Sequence, residues 1–123
     1  MTLAEFYAAR LDEDEAAARA ATPGEWAALD GGVMSVENES WPVSSTESAR
    51  NREDRVHIAR HDPARVLREV EAKRKILETI DHAERESDAV DNIQIDGYLA
   101  DDLRKLLALP FSDHPDYDQE WRP

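Results

Sequence analysis

The step Asp62-Pro63 restricts the fold more than any other feature of the sequence. A proline lacks the backbone donor and pushes the residue before it out of the helical region, so a helix stops before it or starts at it. On the C-terminal side, Val66, Leu67, Val70, Ile76, Leu77, Ile80 and Ala83 recur at helical spacing. Asp62 then reads as an N-cap and Pro63 as the first helical residue. This predicts a long helix over 63–86, supported by the i,i+4 pairs Glu69–Lys73 and Glu71–Lys75. On the other side, "NREDRVHIARH" predicts a short helix over 52–61 with Val56, Ile58 and Ala59 as its apolar contacts. The Asp-Pro step is a corner between two helices.

The remaining elements follow from the same kind of signal. Thr2 and Glu5 have capping-box spacing, and Leu3, Phe6, Tyr7, Leu11, Ala17, Ala18 and Ala21 trace one stripe of a first helix within 1–21. Asp12 to Glu15 form its solvated face. Pro23-Gly24 suits the centre of a type II turn. Residues 25–46 predict a small antiparallel sheet, a hairpin or three strands, with Asp30-Gly31-Gly32 as the tight connection, a second turn over 38–41 and a third strand opened by Pro42-Val43. Such a hairpin is marginal alone, so Trp26 is expected to pack it on the helices. A fourth helix is expected over 91–108, capped by Asp91 and Gln94. Its buried face is Ile95, Tyr98, Leu99, Leu103, Leu106 and Leu107. With the 63–86 helix it makes a long helical hairpin. The tail 110–123 carries Phe111, Tyr117 and Trp121, too many aromatics for a disordered segment, so it docks on the body. The expectation is a single α+β domain over 1–123, mostly helical.

Charge narrows the function. The net charge is −13, which repels nucleic acid and anionic membrane and favours basic protein partners. It is unevenly spread: residues 50–75 hold nine basic and five acidic side chains, a surplus of four, so the rest carries −17. No cysteine is present, which excludes disulfides, thiol chemistry and Cys-type zinc sites. No apolar run approaches the roughly 18 residues of a membrane span, and a cytoplasmic protein is expected.

Histidines are the main candidates for chemistry. His57 and His61 share a helix face, with Asp54 on the same side. The metalloprotease motif with this spacing needs a glutamate where Ile58 stands. His61-Asp62 is also the doublet of HD-type phosphohydrolases, but a capping Asp62 has its carboxylate committed to amides. His82 and His114 are isolated, and neither a Gly-rich phosphate loop nor a GxSxG elbow occurs. The expectation is therefore no catalytic residue, no cofactor and no metal, with the histidines near a helix C-terminus that favours them. The expected function is a non-enzymatic, acidic protein–protein interaction module, with Tyr117 and Trp121 beside Asp116 and Asp118 as the contact patch. Simple anchoring of the tail is the competing role for those aromatics. Two other functions stand as alternatives. One is a nucleic-acid mimic inhibiting a DNA-binding protein, since 78–102 holds nine acids against Arg85 alone. The other is a small metal-dependent hydrolase using His57, His61 and Asp54. Self-association is a further alternative, because long helices in so short a chain need not bury all their apolar surface.

Three stretches, "LDEDEAAARAATPGEW" at 11–26, "HIARHDPARVLREVEAKRKIL" at 57–77 and "LALPFSDHPDYDQEWRP" at 107–123, together resemble an uncharacterised family. Its members are small acidic proteins from Streptomyces, related actinobacteria and their phages, known only as a domain of unknown function. The resemblance implies an actinobacterial or prophage protein of the cytoplasm and implies no activity, substrate or catalytic residue.

Overall fold

The computed structural model describes residues 1–37, 42–45, 51–89 and 97–123. Its elements are α1 (Leu3–Ala20), β1 (Trp26–Leu29), β2 (Gly32–Ser35), β3 (Pro42–Ser45), α2 (Asn51–Arg60), α3 (Pro63–Ala89) and α4 (Gly97–Ala108), with 3₁₀ turns at Leu109–Phe111 and Gln119–Trp121. The class is α+β. The expected turn at 38–41, and the expected start of the fourth helix with Asp91, Gln94 and Ile95, lie outside the described residues. The chain divides into two compact units, Met1–Asp12 with Glu71–Pro123, and Glu13–Val70.

The second unit holds the sheet, an antiparallel meander in the order β1-β2-β3. Leu29 pairs with Gly32 across a loop of Asp30 and Gly31. Only Gly31 has positive φ there, at +89°, so the loop lacks the two left-handed residues of a type I′ turn. The β2–β3 register shifts between Val33 and Met34. Gly24 also has φ of +89°, as the third position of a type II turn after Pro23 requires, and a Cβ there would lie 2.5 Å from a Glu37 carboxylate oxygen. Val33 and Ser35 turn inward and are fully buried, while α2 packs on β1 and, less extensively, on β2. Trp26 is half-buried and tied twice: its indole N–H donates to the Thr22 carbonyl at 2.8 Å, and its backbone N–H to Asp62 Oδ2 at 3.1 Å.

The first unit is built on aromatic packing. The start of α1 buries Leu3, Phe6, Tyr7, Arg10 and Leu11. Its capping box forms: the Glu5 N–H donates to the Thr2 hydroxyl at 3.2 Å and the Thr2 N–H to Glu5 Oε2 at 2.7 Å. The tail docks as expected. Phe6 meets Tyr117 and His114 edge-on at 5.6 Å each and Trp121 at 5.2 Å, and Tyr7 meets Phe111 at 6.1 Å. α4 is linked to α3 by Arg104, which donates to Asp81 at 2.7 Å and to Glu84 at 2.5 Å. The Glu84 hydrogen bond is the main cause raising the Arg104 pKa above its ordinary value.

Apolar expectations are corrected on all four helices; on α2, Val56, expected as an apolar contact, is 41% exposed at the rim of an open groove. Ile76 is 45% exposed, and on α4 Tyr98 is 85%, Leu99 45% and Leu106 54% exposed. The inward positions of α4 are instead Ala100 and Ala108, with Leu103 and Leu107 half-buried. The helix is rotated so that its small side chains lie on the buried side and its larger apolar residues outside. On α1, Ala17 is exposed although it falls on the stripe. Arg10, absent from any apolar stripe, is buried there.

Candidate functional site

The corner predicted from Asp62-Pro63 is built from one carboxylate. Asp62 is only 8% exposed. Its Oδ1 accepts the Arg65 N–H at 2.8 Å, the N-cap bond of α3, and its Oδ2 accepts the Trp26 N–H. Each oxygen thus accepts one backbone amide, so the carboxylate beside His61 serves the sheet and the helix at once.

His57 and His61 do come together. Both are exposed, with ring centroids 4.5 Å apart and planes tilted by 46°. His61 Nδ1 lies 2.8 Å from the His57 carbonyl oxygen. A carbonyl only accepts, so Nδ1 carries the proton and Nε2 is the nitrogen available to a ligand. Asp54 is exposed on the same helix. Among the described residues no three His, Asp or Glu side chains are grouped so as to hold one ion. What surrounds the two imidazoles is basic: a groove of about 500 Å³ lined by Arg52, Glu53, Val56, His57, Arg60, His61 and Arg65. The Arg65 guanidinium is fixed by Nε donating to Glu69 at 2.8 Å and Nη1 to the Arg60 carbonyl at 3.1 Å.

The tail residues are arranged differently. Tyr117 is buried and Trp121 half-buried, each meeting the Phe6 ring and, edge-on at 5.6 Å, the other. Their rings anchor the tail. The Tyr117 hydroxyl is buried without a hydrogen-bond partner among the described residues. Asp116 and Asp118 are exposed, and Asp118 caps the last 3₁₀ turn by accepting the Glu120 N–H at 3.0 Å. His114, isolated in sequence, is not isolated in space. Arg10 Nη1 approaches its Nδ1 at 2.6 Å and also contacts Nε2, the Asp116 N–H donates to Nδ1 at 3.1 Å, and the Arg10 guanidinium lies 5.0 Å over the Phe6 ring. The signal for Arg10 was present: it follows Phe6 and Tyr7 at i+4 and i+3. Charged side chains are rarely counted in a core stripe because they are rarely buried.

A family model matches residues 1–123. The chain belongs to DUF6221, a family of unknown function. No curated protein and no solved structure matches it. Among the described residues of this DUF6221 chain, no helix is long and apolar enough to cross a membrane.

Proposed function

We propose that the chain is a non-enzymatic protein–protein interaction module whose contact surface is the outer face of α4. The supporting observation is the exposure of Leu99 and Leu106, which are seven residues apart with Leu103 between them, beside a fully solvated Tyr98. Residues at i, i+4 and i+7 form one ridge of a helix, the shape that fits an apolar groove on a partner. Fully burying a leucine is worth about 1.5–3 kcal/mol; with Leu99 and Leu106 about half exposed, the two together gain about 1.5–3 kcal/mol in a complex. The partner is a basic protein, steered by the net charge of −13. The three resembling sequence stretches and the cysteine-free composition support a cytoplasmic protein of actinobacterial or phage origin.

The test is capture from an actinobacterial lysate with tagged wild type and with the double variant L99K/L106K, followed by quantitative mass spectrometry. The expected result is one basic protein retained at near-stoichiometric amounts by the wild type and lost with the variant, whose unfolding midpoint stays unchanged. Retention by both forms, or by neither, refutes the reading. If sedimentation instead shows a wild-type dimer that the double variant dissolves, the partner is a second copy of the chain.

A further inference from the structure

The groove over α2 and the start of α3 carries the opposite charge to the molecule as a whole. We infer that it is a binding site for a small phosphorylated ligand, with Arg52 and Arg60 as its primary phosphate contacts. Three guanidinium groups and two imidazoles line it against one carboxylate, Glu53, on a chain of net charge −13. Arg65 is already engaged by Glu69 and the Arg60 carbonyl, so it contributes a positioned edge and a reduced charge. Arg52 and Arg60 are exposed on the face of α2 that borders the groove. A planar guanidinium fork matches phosphate oxygens two at a time, which makes arginine the usual phosphate contact where geometry matters. Because His61 Nδ1 carries the proton shared with the His57 carbonyl, its Nε2 is an acceptor, suited to a hydroxyl of the ligand rather than to a phosphate oxygen. Val56 and the paired imidazole rings give the groove an apolar wall against which the rest of a ligand can lie.

Size selects among phosphates. Charges screen over about 8–10 Å at physiological ionic strength. A compact anion in a groove of about 500 Å³ senses chiefly the local arginines. An extended polyanion gains no more of these local contacts and is opposed by the net charge of −13. The site therefore accepts a mononucleotide or a phosphorylated metabolite and rejects a nucleic-acid strand. This inference is independent of the proposed role of α4.

The experiment is an amide-resolved NMR titration of the full chain with pyrophosphate at constant ionic strength, with a short single-stranded oligonucleotide as a second probe. Saturable shifts confined to residues 52–65, with a dissociation constant of about 1 mM or tighter, are expected for pyrophosphate. Each of R52Q and R60Q weakens that binding roughly tenfold, the loss of one charge-assisted contact, and leaves the thermal midpoint in place. R19Q, which lies outside the groove, leaves it unchanged. Shifts spread over all basic side chains, an unaffected affinity in both groove variants, or tighter binding of the oligonucleotide than of pyrophosphate would each overturn the assignment.

Discussion

The aromatic cluster of the first unit and the helical corner of the second hold their chain segments by opposite means. The Phe6 ring, which is fully buried, is met by the three tail rings His114, Tyr117 and Trp121, with hydrogen bonds confined to His114 at its edge. At the corner, Asp62 joins β1 to α3 through two amide bonds, and the side chains next to it are solvated arginines and histidines. The first arrangement gives stability from area and tolerates polar change at its rim. The second gives direction from geometry and leaves Arg52 and Arg60 exposed on its outer side. Surface that the fold does not use is where binding can be added without loss of stability, which is why the corner rather than the aromatic cluster carries the ligand site inferred above.

That contrast can be broken at its strong end first. Phe6→Ala removes the ring shared by His114, Tyr117 and Trp121 and is expected to cost about 3–5 kcal/mol in denaturant unfolding. A loss below about 1 kcal/mol would mean that the tail does not depend on the cluster. Next, Asp62→Ala deletes a cap and leaves the Trp26 amide unpartnered, with an expected loss of about 2 kcal/mol. Retention of wild-type stability in urea would deny the carboxylate its double role. The smallest effect belongs to the exposed counterpart of that cap, the Thr2–Glu5 box, where Thr2→Ala is expected to cost about 1 kcal/mol. The Glu5 carboxyl is held below its ordinary value of 4.5, first by the Thr2 backbone amide and then by the Thr2 hydroxyl. A lowered carboxyl pKa stabilises the fold above its unfolded value and ceases to do so as the pH falls through the folded one. The stability advantage of wild type over Glu5→Ala should thus be full above pH 4.5 and shrink below it. An advantage that grew on acidification would contradict the assignment.

Local signals were legible in the sequence and long-range ones were not. Asp62-Pro63, Thr2 with Glu5, and Pro23-Gly24 each act within four residues, and the structure realises all three. The tail was expected to dock because its aromatics need burial, but Phe6 as their common acceptor is a contact across more than 100 residues that no periodicity encodes. The same limit explains α4. Hydropathy placed Leu99 and Leu106 inside, whereas Ala100 and Ala108 sit there, because a residue scale ranks side chains and does not fix the rotation of a helix about its own axis. At the candidate site, the pairing of His57 with His61 was readable from i,i+4 spacing. The arginine lining was visible only as a charge surplus over 50–75, since its convergence needs the corner to be built first.

One consequence of the Asp62 arrangement concerns motion. The same carboxylate holds the amide of the first residue of β1 and that of the third residue of α3, so neither segment can open alone without releasing a hydrogen bond that belongs to the other. Hairpin and helix end are thereby joined into one cooperative unit of local opening. In hydrogen exchange the amides of Trp26 and Arg65, 39 positions apart in sequence, should exchange with one common protection factor and lose it together.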